Sequence, residues 1–199
     1  TSAASRFFSF FGIQYNVDFG ETPKGFFGFL LCLLSTVITP ALIEEFAFRG
    51  IVLGSLKKYG EGFAVLVSSI LFGLMHGNFE QIPFAFLVGL VLGLITVKTN
   101  SILIACAVHG TNNLVSVIFD FIPSGISQAA QNIMYLIFLL ICLTLGILVL
   151  ALSEKSNEMF KLKKDSCESK LKERFKWFFT SPVIIIFIVI CIFESLAYF

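Results

Sequence analysis

The chain places a small set of ionisable and amide side chains inside apolar runs, where polar groups are costly and are candidates for function. They include both histidines of the chain and are Glu44, Glu45, Arg49, His76, His109 and Asn113. A carboxylate and an imidazole that converge on one water can deprotonate it for attack on a carbonyl. An imidazole N–H beside an amide N–H can stabilise the oxyanion that forms. These residue types therefore predict hydrolysis by an activated water.

The spacing of the first group separates its two carboxylates. Glu45 and Arg49 are four residues apart, so on a helix their side chains share a face and can pair. An unpaired Arg49 would be very unfavourable in a medium of low dielectric constant. Glu44 points about 100° away from Glu45 on a helix. We therefore expect Glu45 to neutralise Arg49, and Glu44 to face another part of the bundle.

The two histidine groups show the same helical spacing. Phe72 lies four residues before His76, where its ring can pack beneath the imidazole and exclude lipid or water. His109 and Asn113 are also four residues apart, so we expect both side chains to face one pocket. The neighbouring Asn112 is expected to turn away from Asn113 and to serve helix packing.

The composition places these groups in a membrane. Of 199 residues, 57% are hydrophobic and 14% are charged, and 25 are phenylalanine. An ordinary soluble domain has about 25% charged residues, and a soluble fold of this size could not bury so much apolar surface. The sequence therefore predicts an all-α, polytopic integral membrane helical bundle.

Six apolar runs predict about six transmembrane spans, named A to F: 25–56, 62–77, 82–97, 101–121, 133–152 and 182–199. Spans B and C are short for a bilayer, which needs about 20 residues. Pairs of glycines four residues apart favour close packing of spans A, B and C; they are Gly50/Gly54, Gly73/Gly77 and Gly89/Gly93. We expect residues 1–24 to be interfacial, 25–121 to form a four-helix core, and 122–199 to add two spans.

The basic residues orient this bundle. If six spans alternate, every loop that holds Lys or Arg falls on one side, which the positive-inside rule makes cytoplasmic. The segment 153–181 is the most basic loop and is expected on that side, with a role at lipid headgroups left open. A rise of 1.5 Å per residue then places Glu44, His76, His109 and Asn113 about 20, 21, 13 and 20 Å above the cytoplasmic helix ends. Three helices therefore carry polar groups to similar depths.

The three motifs, in this order and spacing, resemble those of the CPBP intramembrane proteases, which include the type II CAAX prenyl endopeptidases and the bacteriocin-processing Abi enzymes. The motifs are Glu44-Glu45-x-x-x-Arg49, Phe72-x-x-x-His76 and His109-x-x-x-Asn113. The resemblance covers roughly residues 37–121 and implies that the 25–121 core is catalytic. It implies a glutamate-dependent endopeptidase that acts within the membrane.

The resemblance also implies a role for each group. Glu44 and His76 would activate the water, and His109 with Asn113 would form the oxyanion hole. Site support would come from residues beside them, namely Glu45, Arg49 and Phe72. Substrates in this family range from prenylated C-termini to leader peptides and membrane proteins, so the motifs do not fix the substrate.

Three other interpretations remain open. Glu44, His76 and His109 are of the types that bind catalytic zinc, so a zinc-dependent protease is one alternative. An Abi-type protein without activity, serving immunity or as a scaffold, is another, because fold similarity does not prove activity. Intramembrane carboxylates and histidines also form proton relays in transporters, although no inverted repeat is visible.

We expect no cofactor, with zinc as the minority alternative. The expected partners are membrane lipid and a peptide or membrane-protein substrate, and a net charge of +1 suggests no nucleic acid. The sequence does not indicate an oligomeric state. Small size and short loops favour a bacterial inner (cytoplasmic) membrane.

Overall fold

The computed structural model describes residues 25–79, 81–121, 126–127, 130, 133–134, 137–138, 140–141, 144, 161–163 and 169–196. All regular secondary structure in these ranges is helical. Six helices position the site and its surroundings: α1 (Gly25–Tyr59), α2 (Glu61–Met75), α3 (Gln81–Thr99), α4 (Ile102–Asp120), α5 (Leu171–Phe179) and α6 (Pro182–Leu196).

Helix α1 contains two stretches of wide π-type turn, Leu33–Ile38 and Phe46–Leu53. The first lies just before Pro40, which has no N–H to donate to the carbonyl of Thr36 four residues earlier. The second begins immediately after the two adjacent glutamates. Such π segments inside α-helices are frequent at functional sites.

The chain divides into two compact units. The first contains Ile43–Ala105 and Leu162–Phe199, and the second contains Glu21–Leu42 and Cys106–Lys161. Helix α1 thus contributes its C-terminal part to the first unit and its N-terminal part to the second. The candidate residues from Glu44 to His76 belong to the first unit, and His109 and Asn113 belong to the second.

In the first unit, α2 and α3 pack antiparallel at glycine contacts. A methyl group at Gly89 would lie 3.2 Å from Ser69 Cα, and one at Gly93 would lie 3.1 Å from Val65 Cγ1. A methyl group at Gly73 would lie 3.1 Å from the carbonyl oxygen of Ile82. Because these spaces are filled by the neighbouring helix, the glycines allow the backbones of α2 and α3 to approach closely.

Helices α5 and α6 complete the first unit along α2. Phe63, near the start of α2, meets Phe175 of α5 with ring centroids 5.1 Å apart. At the other end, a methyl group at Gly77 would lie 3.0 Å from Oε2 of Glu194 on α6. Helix α6 therefore runs in the same direction as α2, and a bend of 68° separates α5 from α6.

In the second unit, α4 packs antiparallel to the N-terminal part of α1. Phe29 and Phe121 meet edge to face with centroids 5.3 Å apart, and Val37 and Val117 are buried between the same helices. A methyl group at Gly110 would lie 3.6 Å from Ala41 Cβ, an ordinary van der Waals distance.

Among the described residues, three helices are long and apolar enough to cross a membrane, namely α1, α3 and α4. The bent pair α5 and α6 would be a fourth span if the two helices cross together. Large apolar side chains on these helices are exposed, including Phe27 at 80% and Leu103 at 75%, as expected of surfaces that face lipid. The chain is therefore a helical membrane protein, but the predicted count of six spans is not supported.

Two predicted spans account for the difference. Span B is α2, which has only 15 residues and buries many of its side chains in protein, so it is shorter than a bilayer requires. Span E, 133–152, lies mostly outside the described residues, as do the predicted interfacial segment 1–24 and most of 122–132 and 153–168.

Candidate active site

A buried ion pair is the core of the site in the first unit. Arg49 Nη1 donates to Glu45 Oε1 at 2.9 Å, and both side chains are 0% exposed. The pairing that the i,i+4 spacing predicts is therefore present. Charges buried to this degree need fixed partners, because breaking such a pair leaves an uncompensated charge in a low-dielectric region.

Arg49 has two further contacts that its spacing does not predict. Its Nη2 donates to the carbonyl oxygen of Gly89 on α3 at 3.1 Å. Its guanidinium carbon lies 4.3 Å from the centroid of the Phe72 ring on α2, a cation–π distance. Arg49 thus joins the C-terminal part of α1 to both α2 and α3.

Phe72 connects the ion pair to His76. Their ring centroids are 5.0 Å apart at an interplanar angle of 69°, so the phenyl ring meets the imidazole edge to face rather than stacked. Phe72 itself is 1% exposed and meets Phe48 edge to face at 5.4 Å. The phenyl ring therefore contacts both the buried Arg49 and the partly buried imidazole.

The imidazole of His76 is oriented by the backbone of its own helix. Its Nδ1 lies 2.9 Å from the carbonyl oxygen of Phe72. A carbonyl only accepts hydrogen bonds, so in this contact Nδ1 carries the proton and donates it. In the neutral ring, Nε2 is then the acceptor, the form that a general base requires.

The two neighbouring glutamates differ in burial as the helical geometry predicts. Glu45 is fully buried against Arg49, whereas Glu44 is half-buried. The Oε2 atom of Glu44 is itself buried, although the residue as a whole is partly exposed. Of the two glutamates, Glu44 is therefore the less buried residue.

His109 and Asn113 lie on α4 in the second unit. His109 is 4% exposed, and Asn113 Nδ2 donates to the carbonyl oxygen of Thr36 at 2.9 Å. Because Pro40 cannot donate to that oxygen within the helix, Asn113 takes a position that a backbone N–H would otherwise occupy. The contact fixes the amide and leaves its second N–H pointing elsewhere.

Asn112 differs from its prediction. Its Nδ2 donates to Asn113 Oδ1 at 3.3 Å, so the two amides are joined rather than turned apart. Adjacent helical positions are about 100° apart, but the two amide groups turn towards each other and make this contact. Asn112 therefore helps to fix which way the Asn113 amide points.

The structure places one further charged residue, Glu194 of α6, next to His76. Its carboxylate lies against the backbone of Gly77, the residue that follows His76, and its side chain is exposed. Gly77 has φ +56° and no side chain, so it leaves the space that the carboxylate occupies. The available signal was that Glu194 is the only charged residue in the apolar stretch 182–196.

Within the part of the first unit that the structure describes, no three His, Cys, Asp or Glu side chains are grouped so that they could hold a metal ion. The zinc alternative also requires His109 of the second unit, and it stays a prediction.

Comparison with known proteins agrees with the three motifs. Residues 26–115 match the sequence model of the family described as type II CAAX prenyl endopeptidase Rce1-like. No solved structure matches the chain.

Two bacterial proteins are similar over the same part of the chain. The membrane-embedded CAAX protease MroQ of Staphylococcus aureus (strain USA300) is 32% identical over 114 residues, covering 52% of this chain and 46% of that protein. The membrane peptidase YdiL of Bacillus subtilis (strain 168) is 28% identical over 95 residues, covering 47% and 38%. The chain thus aligns with less than half the length of each relative. The matched region, which contains all three motifs, is therefore similar to the CAAX protease family of Rce1-like membrane proteins.

Proposed function

We propose that the chain is an intramembrane endopeptidase that hydrolyses a peptide bond with a water activated by Glu44 and His76. The observation that carries this proposal is the hydrogen bond from His76 Nδ1 to the Phe72 carbonyl, because it presents Nε2 as a proton acceptor. The carboxylate of Glu44, which is the less buried of the two adjacent glutamates, supplies the second basic group. The similarity of residues 26–115 to the Rce1-like endopeptidase family supports the same reaction.

The steps balance with the residues of the chain alone. Glu44 removes a proton from a water that also donates a hydrogen bond to His76 Nε2, as the water oxygen attacks the peptide carbonyl. The resulting oxyanion accepts hydrogen bonds from His109 and the second N–H of Asn113. The protonated base then gives its proton to the leaving amine as the C–N bond breaks. Two arguments support the joint action of these four residues on one substrate. Their depths in the membrane, calculated from the helical rise per residue, are similar, and the family resemblance implies the same grouping.

Glu45, Arg49 and Phe72 have supporting roles in this proposal. They hold the C-terminal part of α1 against α2, so the positions of Glu44 and His76 are fixed before substrate binds. Such preorganisation is a large part of catalysis, because the groups need not rearrange during the reaction. We place no cofactor in this mechanism, and a bound zinc ion is the alternative that a chelator tests.

The substrate that we propose is a membrane-associated peptide, either lipidated at its C-terminus or carrying a leader. The similarity of the chain to MroQ, a CAAX protease, supports the lipidated class. A bacterial inner membrane is the proposed location, because both relatives are bacterial. The loop 153–181 would be cytoplasmic, and labelling of single cysteines introduced there and at 122–132 from either side checks this orientation.

The experiment combines product identification with one variant. The full chain is purified in detergent and incubated in H₂¹⁸O with candidate prenylated and leader peptides, and products are identified by mass spectrometry. A new C-terminal carboxylate that contains ¹⁸O, absent with Glu44→Gln, supports hydrolysis by an activated water.

Loss of cleavage with a chelator and recovery with zinc would instead favour the metal alternative. Absence of any product from well-folded protein and all peptide classes would favour the non-catalytic interpretation.

A further inference from the structure

Helix α5 is amphipathic, and its two faces differ in burial. Phe175, Phe178 and Phe179 pack against the hydrophobic core of the first unit. On the other side, Lys172, Lys176 and Trp177 are exposed, the indole at 65%. A bend of 68° separates α5 from α6, so the axis of α5 does not continue the axis of the apolar helix α6.

A buried arginine fixes α5 in this position. Arg174 is 6% exposed, and its Nε donates to the carbonyl oxygen of Ser169 at 3.0 Å. Its Nη1 donates to the carbonyl oxygen of Tyr59, the last residue of α1. Arg174 therefore serves structure, and the exposed lysines on the other side of α5 are not needed for this attachment.

The surface around α5 is basic. It carries exposed lysines on three neighbouring segments, at Lys58, Lys163, Lys170, Lys172 and Lys176. Two acidic groups face the same region. Glu61 accepts a hydrogen bond from the backbone N–H of Lys163 at 2.8 Å, and Glu173 is exposed on α5. Among the described residues at this end of the unit, positive charge therefore exceeds negative charge.

We propose that the exposed face of α5 binds the headgroups of anionic phospholipids. Lys172 and Lys176 are four residues apart, so they present two ammonium groups on one face. Trp177 lies about 100° further round the helix, with the exposed Glu173 between Lys176 and Trp177. Tryptophan with lysine on a short amphipathic helix is the combination found at the membrane interface. The headgroup phosphates contact the lysines, and the indole lies at the level where acyl chains begin.

This proposal does not depend on proteolysis. Its test measures the fluorescence of Trp177, which is the only tryptophan in the chain. The full chain is reconstituted in phosphatidylcholine vesicles that contain a minor fraction of one lipid with brominated acyl chains, which quenches nearby tryptophan. That lipid is either phosphatidylglycerol or phosphatidylcholine. For the wild type, we expect stronger quenching by brominated phosphatidylglycerol at the same mole fraction, and we expect salt to reduce the difference.

Two double variants test the lysines. Lys172→Gln with Lys176→Gln should lower the preference for phosphatidylglycerol by about fivefold for each lysine removed at low ionic strength. The charge-conserving pair, Lys172→Arg with Lys176→Arg, should keep it. Equal quenching by the two brominated lipids in the wild type would overturn the proposal. A preference that persists unchanged in the glutamine variant would overturn the assignment to Lys172 and Lys176.

Discussion

The two units hold their polar residues by different means. In the first unit, Arg49 is bound by the Glu45 carboxylate, the Gly89 carbonyl and the Phe72 ring, inside helices that approach at glycine contacts. In the second unit, a neutral amide, that of Asn113, donates to a backbone carbonyl of α1.

This difference means that the polar contacts of the first unit are needed for folding, whereas that of the second unit is not. A buried charge is costly without its partners, so the first unit depends on its polar network for folding. A neutral amide that loses one hydrogen bond costs about 0.5–1.5 kcal/mol, so the second unit can lose its polar contact and remain folded. Substitutions in the two units should therefore affect different measurements.

The largest effect on stability is expected for Arg49→Ala. It leaves Glu45 charged and buried, which costs about 3–5 kcal/mol when one partner of such a pair is removed. The fraction of folded, monodisperse protein in detergent should fall sharply, as measured by size-exclusion chromatography and thermal unfolding.

The paired variant Arg49→Met with Glu45→Leu serves as its control. Replacement of both charges by apolar groups should recover stability, because no unpaired charge remains. If Arg49→Ala accumulates and unfolds like the wild type, the ion pair does not stabilise the first unit, and the comparison between the units is wrong.

Asn113→Ala should lower turnover and leave the folded fraction nearly unchanged, the opposite of Arg49→Ala. Removal of one oxyanion donor lowers turnover by about 10²–10³, whereas the folded fraction should change little. The test is single-turnover cleavage together with the unfolding midpoint of each preparation. A variant that loses its folded fraction as Arg49→Ala does, with normal turnover in the remaining molecules, would show that Asn113 is structural.

Two glycine substitutions compare the packing of the units directly. Gly89→Ala in the first unit brings a methyl group within 3.2 Å of backbone on α2, and such overpacking costs about 1–3 kcal/mol. Gly110→Ala in the second unit meets ordinary contacts and should be neutral or stabilising by up to about 1 kcal/mol. Denaturation midpoints check both, and an equal loss of stability would contradict the difference in packing.

The smallest effect is expected for Pro40→Ala. It supplies a backbone N–H that can donate to the Thr36 carbonyl and so compete with the Asn113 amide. Turnover should fall about two- to tenfold, the range of one hydrogen bond. In a double-mutant cycle with Asn113→Ala, the combined loss should be smaller than the product of the single losses. Independent effects would show that Pro40 does not act through Asn113.

The sequence predicts the helices well and the spans less well. Apolar runs bounded by glycine, proline and lysine place the ends of α1 to α4 within about four residues of those in the structure. The described residues support three or four spans rather than six, because span E lies mostly outside them and because hydropathy records apolar residues without showing whether they face lipid or protein. Helix α2 is the example, since residues such as Val67 and Leu71 are buried against other helices.

Contacts within one helix could be predicted at the site, whereas contacts between helices could not. The Glu45–Arg49 pair follows from i,i+4 spacing. The Gly89 carbonyl as a partner of Arg49 depends on the packing of α3, and the Asn113 contact depends on the packing of α4 against α1. Regular helical geometry also fails to predict the two π-type stretches that flank the adjacent glutamates.

The most direct test of the account compares the two adjacent carboxylates. Glu44→Gln and Glu45→Gln are reconstituted in nanodiscs, and single-turnover cleavage is measured alongside the folded fraction of each. We predict that Glu44→Gln folds like the wild type and loses about 10²–10⁴ in rate, the value of a general base. Glu45→Gln should lose folded protein, while its folded molecules still cleave. A Glu44→Gln protein that cleaves at the wild-type rate, beside a well-folded and inactive Glu45→Gln, would contradict the assignment of Glu44 as the base.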